Sequence, residues 1–345
     1  MKEFIALDCH RRYSLGEREP REGGGRARQR RIEHRPGAIK AYLADVEPGT
    51  PVAVEATGNW YWIINEIEAA GSQPLLVHPR KAKLMLGSIN KTDQLDVHGL
   101  NRLQRAGTLP TVWVPPGELR DLRELTRTRL VLTRQRTRLK NRLNATLAKH
   151  GLSVEGFSDM FGVSARPELQ RQIARLPEHA RWVSGELLEQ LGFVQASIGR
   201  HERQFKQQLK RCPAMQRLTT LPGVAEILAA TILWELGDVN RFASAERLAS
   251  YAGTTPRVHA SGGRTRYGQM RPDVNRYLKW AFMEAANATV LNRRRYPQRK
   301  VSQIYERLAK RKGHAKAVGA IARHLAEASY HVLKREENYR EPTTG

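Results

Sequence analysis

Residues 4–8 read Phe-Ile-Ala-Leu-Asp, a short apolar run that stops on a carboxylate. Its length and composition are those of a buried strand. Residues 52–55, Val-Ala-Val-Glu, repeat the pattern. Asp8 and Glu55 are therefore expected where strands end and side chains project from a sheet border. A third acidic motif, KTDQLD at residues 91–96, opens a helical pattern that continues as VHGLNRLQRA, with Thr92 placed to cap it. Asp93 and Asp96 stand three apart and so share one helix face. Convergence of Asp8, Glu55, Asp93 and Asp96 is geometrically allowed.

Four carboxylates without a His/Cys ligand set suit hard cations, Mg²⁺ or Mn²⁺, which favour oxygen donors. Two such ions, roughly 3.5–4 Å apart, can activate an attacking oxygen and stabilise a leaving one in phosphoryl transfer. The pattern is that of a nuclease-type site. Each acid alone also has a structural reading: a strand-terminal Asp is a common turn residue, and acids in a first helical turn complement the macrodipole.

The rest of the chain is basic. Lys and Arg number 59 against 34 Asp and Glu, a net charge of +25 over 345 residues. Such an excess calls for a polyanionic partner, nucleic acid by default. A membrane surface is the competing polyanion, but no run of 18 apolar residues exists and the N-terminus MKEFIALDCHRR lacks a signal-peptide core. A cytoplasmic protein, acting at the nucleoid and with no membrane partner, is the expectation. Cys9 and Cys212 are too few for a disulfide framework or a zinc site of CxxC type.

Apolar runs and helical patterns alternate up to about residue 112, which predicts an α/β domain over residues 1–115. PGAIKAYLADV (36–46) and NWYWIINEIEAAG (59–71) read as helices, and PLLVH (74–78) and TVWV (111–114) as strands. One stretch resists: GEREPREGGGRARQRRIEH (16–34) has three successive glycines and few apolar residues, and predicts a loose hairpin or partly disordered loop.

Residues 117–150 form one long helical pattern with Leu122, Leu125, Leu132, Leu139, Leu143 and Leu147 along a stripe. Its other faces hold ten basic residues against three acids. A helix so lopsided repels itself unless something negative lies along it, so Arg123, Arg127, Arg134 and Arg138 are expected phosphate contacts. A break at 151–167 and a second helical region from 167 to 211 predict an antiparallel return. Residues 116–211 would then be an all-α, coiled-coil-like arm and a plausible dimerisation element.

A mainly helical third region, 212–345, opens with LTTLPGVAEILAATILWELGD (218–238), which resembles a helix-hairpin-helix; a plain helical turn is the alternative. Further on, ASGGRTR (260–266) places Ser261 before Gly262 and Gly263, with His259, Arg264 and Arg266 around it. Two glycines allow close approach of a phosphate, although Ser-Gly-Gly is also ordinary turn chemistry. Arg264 and Arg266 are expected phosphate clamps. Tyr296 and Tyr305, among the basic residues of the tail, could stack on bases or lie in a solvated loop.

The combination LDCH, VEATG, KTDQLD, LPGV, RFASAERLASYAGTTP and ASGGRTR, in that order, resembles the DEDD transposases of bacterial insertion sequences, the bridge-RNA-guided recombinases of insertion-sequence family one-ten. The resemblance spans nearly the whole chain. It implies a RuvC-like (ribonuclease H-type) N-terminal domain, a coiled-coil middle and a C-terminal transposase domain. It also implies a metal-binding, catalytic tetrad of Asp8, Glu55, Asp93 and Asp96 and a catalytic serine at Ser261. The implied partners are target and donor DNA, a guide (bridge) RNA, and further copies of the chain, a homodimer assembling to a tetramer in which the serine comes from a neighbour. The implied reaction is strand exchange through a phosphoserine link with Mg²⁺ or Mn²⁺. Gly16 to Arg31 departs from the family, which has cleaner second and third strands there. Two further readings stay open: a RuvC-like nuclease that hydrolyses branched DNA, and a non-enzymatic nucleic-acid-binding protein.

Overall fold

The computed structural model describes residues 3–21, 26–87, 92–270 and 274–342. The chain divides into two compact units, residues 1–117 and residues 118–345.

In the first unit, β1 (Glu3–Cys9), β2 (Tyr13–Pro20), β3 (Arg28–Glu33), β4 (Pro51–Glu55) and β5 (Gln73–Val77) form one sheet in the order β3-β2-β1-β4-β5. The β1–β2 and β2–β3 pairs are antiparallel, while β1–β4 and β4–β5 are parallel. α1 (Ala38–Tyr42) and α2 (Trp60–Ala69) connect β3 to β4 and β4 to β5, and α3 (Pro79–Leu86) and α4 (Asp93–Arg105) follow β5. Strand alternation sorts the core into two layers. Ile5, Leu7, Val52 and Val54 pack with Ile39 of α1 and Ile63, Ile64 and Ile67 of α2. Ala6, Ala53 and Val77 pack with Val97, Leu100 and Leu103 of α4.

The segment expected to be loose is ordered as β2 and β3. Its pairing with β1 runs unbroken from Glu3↔Pro20 to Cys9↔Ser14. What hides this from an apolar pattern is that, apart from Ile32 of β3, its buried residues are small or polar: Ser14, Glu17 and the backbone at Gly16. A Cβ on Gly16 would come within 2.8 Å of the Tyr42 ring, so glycine lets that ring lie against the strand. Residues 22–25, which include the whole glycine run, lie outside the described residues. The strand expected at TVWV is reduced to an isolated bridge between Thr111 and Val77, with Val112 donating its N–H to the Leu76 carbonyl. Pro110, Pro115 and Pro116 flank it and have no N–H to extend a ladder.

The second unit starts with α5 (Gly117–Lys149), followed by α6 (Arg166–Ala174) and α7 (Glu178–Arg211). Leu139 and Leu143 of α5 meet Leu191, Val194 and Ile198 of α7. Nearer the start of α5, Leu119, Leu122 and Leu125 meet Phe205 near the end of α7. The two helices therefore run antiparallel along the predicted leucine stripe. After a bend at Cys212 come α8 (Pro213–Leu218), α9 (Glu226–Leu236) and α10 (Ala245–Tyr251), then a hairpin of β6 (Pro256–Ser261) and β7 (Arg264–Met270), and finally α11 (Arg276–Leu291), α12 (Lys300–Lys312) and α13 (His314–Arg335). Met215 and Trp234 share a cluster with Phe205, so the packing of this unit continues across the boundary expected at 211/212. The LPGV turn joins α8 to α9 as expected. Its Gly223 has φ +75°, and a Cβ there would meet the Ala285 carbonyl of α11 at 2.3 Å, so packing accounts for this glycine. Among the described residues no helix is long and apolar enough to cross a membrane.

Candidate active site

Register and alternation bring the first two acids together. β1 and β4 pair in parallel as Ile5↔Val52, Ala6↔Ala53 and Leu7↔Val54. One residue further on each strand stand Asp8 and Glu55. They have the parity of Ala6 and Ala53 and thus face α4. α4 packs on β1 and β2 and presents Asp93 and Asp96 in its first turn. Thr92 caps it, its hydroxyl accepting from the Leu95 N–H at 3.2 Å. Asp93 lies one turn before Val97, and Asp96 one turn before Leu100, so the apolar seat of the helix fixes the side on which both acids emerge.

A polar network reinforces that seat. Glu17 of β2, opposite Ala6 and 1% exposed, accepts from Asn101 Nδ2 at 3.0 Å, His98 Nδ1 at 3.1 Å and Gln29 Nε2 at 2.6 Å. Gln29 also donates to the Gln94 carbonyl at 3.3 Å, between the two acids of α4. The arginine-rich β2–β3 segment is thus part of the scaffold that places Asp93 and Asp96.

At the centre, His10 Nε2 lies 3.1 Å from Asp8 Oδ2 and 3.2 Å from Asp93 Oδ2. Tyr13 donates its hydroxyl to Asp93 Oδ2 at 2.7 Å. Asp8, His10 and Asp93 offer ligand atoms that all lie within 4.8 Å of one another. Glu55 and Asp96 are not members of that triangle; the charge of Asp96 bears on Asp8, and that of Glu55 on the neighbouring Cys9. Asp8 is pushed above the ordinary carboxyl range, chiefly by burial, with His10 opposing and Asp96 and Asp93 adding to the rise. The Cys9 thiol is pushed up to about 12, mainly by burial, with Asp8 and Glu55 contributing, which fits an inert packing cysteine. His10 and Tyr13 were not predicted from sequence. The available signal was the spacing Asp8-x-His10, which places both residues on one side of the extended chain.

These residues fit a divalent cation. Clustered oxygen donors, one of them held at a raised proton affinity chiefly by burial and further by its acidic neighbours, are relieved when positive charge binds among them. Asp8, His10 and Asp93 are the residues whose ligand atoms come together here.

Ser261 lies in the second unit, at the tip of the β6–β7 hairpin. Gly262 and Gly263 have φ +55° and +73°, the left-handed pair that a two-residue type I′ turn requires. Ser261 pairs with Arg264 and His259 with Arg266. Alternation puts these four side chains on one face and Val258, Ala260, Thr265 and Tyr267 on the other. The whole ribbon is solvent-facing apart from its two ends.

The expected nucleic-acid contacts on α5 separate into two groups. Arg134 and Arg138 are exposed, one turn apart. Arg123 and Arg127 require correction. Arg123 is 5% exposed and donates to the Trp234 and Glu235 carbonyls at 2.8 and 2.9 Å. Arg127 makes a two-pronged pair with the buried Glu235, at 2.7 and 3.0 Å, and lies over the Tyr277 ring. The start of α5 is packed inside its unit, so its arginines serve carbonyls and a buried carboxylate there.

Residues 215–303 match the family described as "Transposase IS116/IS110/IS902 family", and residues 22–151 match the DEDD transposase family of IS110 type. Three of the four tetrad acids fall in the second stretch and Ser261 in the first. The chain is 27% identical to a Pseudomonas aeruginosa protein described as a probable family 20 transposase, over 85% of this chain and 86% of that one. It is 25% identical to the transposase for insertion sequence element IS1111A of Coxiella burnetii, over 84% and 79% of the two chains. A transposase for insertion sequence element IS1328 of Yersinia enterocolitica is 25% identical over 66% of each. The two matched stretches hold every quoted motif except LDCH, and both are matched to IS110-type insertion-sequence transposases, the family this chain resembles.

Proposed function

We propose that the chain is the RNA-guided DNA recombinase of an insertion sequence, which cuts and exchanges strands through a phosphoserine intermediate at Ser261. The meeting of Asp8 and Asp93 in one cluster, with Glu55 at the end of the neighbouring parallel strand and Asp96 in the same first turn of α4, supports this reading. The fold that positions them is taken as ribonuclease H-type, RuvC-like. Mg²⁺ or Mn²⁺ held by the four acids would supply charge neutralisation at the scissile phosphate.

The Ser261 hydroxyl attacks phosphorus. A serine–phosphate bond forms as one bond from phosphorus to a deoxyribose oxygen breaks; the serine gives up its proton, and the released sugar oxygen leaves as a hydroxyl. Attack by a hydroxyl from another strand reverses the chemistry. Phosphodiester energy is conserved, so resealing needs neither ATP nor ligase. Arg264 and Arg266, on the serine's face of the hairpin, are suited to clamp the phosphate. Exposed Arg134 and Arg138 and the net charge of +25 support an extended nucleic-acid partner, target and donor DNA together with a structured guide RNA.

The test is trapping on supercoiled donor and target DNA with Mg²⁺. Wild type should give a protein–DNA adduct resistant to denaturant, and Ser261→Ala should give none. Cleavage undiminished in Ser261→Ala would make the chain a junction-type hydrolase. Absence of cleavage on any substrate, with metal-independent binding, would leave a nucleic-acid-binding protein. RNA that copurifies with the protein should map to DNA flanking its gene; RNA of random origin would remove the guide.

A further inference from the structure

His10 is restrained far more than a surface histidine needs to be. Its ring stacks on Tyr13, with centroids 4.6 Å apart and planes inclined by 29°. Its carbonyl accepts from Asn59 Nδ2 at 2.8 Å, and its N–H donates to the Tyr13 carbonyl at 2.9 Å. Asn59 is itself held by the Thr57 hydroxyl at 2.7 Å, in the loop that follows Glu55. These contacts fix both ring and backbone beside the acidic cluster.

The atom so placed is Nε2, nearly equidistant from Asp8 Oδ2 at 3.1 Å and Asp93 Oδ2 at 3.2 Å. One N–H serves one acceptor well; it does not explain two. An octahedral cation with bonds of about 2.1 Å holds adjacent ligand atoms about 3 Å apart, which is the spacing of His10 Nε2 from each of the two carboxylate oxygens. We propose that His10 is a nitrogen ligand to the divalent cation bound by Asp8 and Asp93, and that this mixed donor set selects Mn²⁺ over Mg²⁺. The inference rests on the metal-binding reading of the acidic cluster. Its chemical basis is that Mg²⁺ demands oxygen and water, whereas imidazole suits first-row transition ions. Held by stacking, the ring loses little freedom on binding, and Tyr13 orients one of the two carboxylates at the same time.

The test uses the full chain loaded with Mn²⁺ alone, without substrate, and pulsed electron paramagnetic resonance to detect nitrogen coupled to the metal. Wild type should show an imidazole ¹⁴N coupling that His10→Gln lacks. Calorimetric titration should show Mn²⁺ affinity falling at least about tenfold in His10→Gln, as loss of even an outer-shell partner does, while Mg²⁺ affinity changes much less. Bound Mn²⁺ that is displaced by Asp8→Asn yet shows no ¹⁴N coupling in the wild type overturns the assignment of His10 and leaves the acidic site standing. Mn²⁺ binding indifferent to both Asp8→Asn and Asp93→Asn overturns the site itself.

Discussion

Asp8 sits where burial and two acidic neighbours all oppose its charge, so its contribution to the metal-free fold depends on pH. Its folded pKa is raised above the unfolded value. Between those values the folded chain binds more protons than the unfolded one, and stability falls as pH rises through that window. Below both values the carboxyl is neutral in either state and the penalty vanishes. Asp8→Asn should therefore raise the melting temperature of the metal-free protein at neutral pH while abolishing DNA cleavage, and the gap over wild type should close as pH falls into the acid range. Thermal melts at several pH values in a chelating buffer measure this; an Asp8→Asn protein less stable than wild type at neutral pH would contradict it. At this scale the four acids stand out along the chain because each ends an apolar run or lies in the first turn of a helix. His10 and Tyr13 were hidden, since an isolated aromatic or imidazole acquires meaning only when β1, β2 and α4 are brought side by side.

At the scale of elements, α5 is one helix with two electrostatic roles. Near its start Arg127 meets Glu235, which is fully buried and also accepts from Asn275 Nδ2 at 2.8 Å. Removing that carboxylate takes away the buried partner of Arg127 while Arg123 keeps its two carbonyl acceptors, so Glu235→Ala should cost roughly 3 kcal/mol in denaturant unfolding, the low end for a buried pair because Arg127 keeps some solvent access. Arg134→Ala and Arg138→Ala should leave stability unchanged and lower the salt dependence of DNA or RNA binding by about one unit per lost phosphate contact. An unchanged slope would take them out of the interface. The leucine stripe made this helix and its antiparallel partner legible, because packing imposes a period. The division of its arginines was not legible, since charge has no period and the partner, Glu235, is more than a hundred residues away. β2 and β3 escaped for a related reason: burial there is carried by Ser14, Glu17, a bare glycine backbone against Tyr42 and the single apolar Ile32, which together show no strand alternation. The β6–β7 ribbon left one clue, the Gly262-Gly263 pair, because with both faces in water it has no apolar alternation to display.

For the molecule as a whole, the tetrad belongs to the unit of residues 1–117 and Ser261 to the unit of residues 118–345. The proposed recombinase draws them from different copies in a dimer that assembles into a tetramer on two DNAs. Mixed oligomers of Asp8→Ala and Ser261→Ala subunits should then recover part of the adduct-forming activity that neither has alone, because some sites pair an intact tetrad with an intact serine. No recovery in verified mixed oligomers would count against sharing. Assembly of this kind requires that copies do not also join in unwanted ways, and β3 bears on that. It lies at the border of the sheet, with Arg28, Gln29, Arg30 and Arg31 all exposed. An open border tempts any passing backbone to add another strand, and a palisade of guanidinium groups turns away a second border of the same sign. The composition that disguises β3 as a loop thereby guards the protein against runaway polymerisation at the concentrations its own subunits must reach to work together.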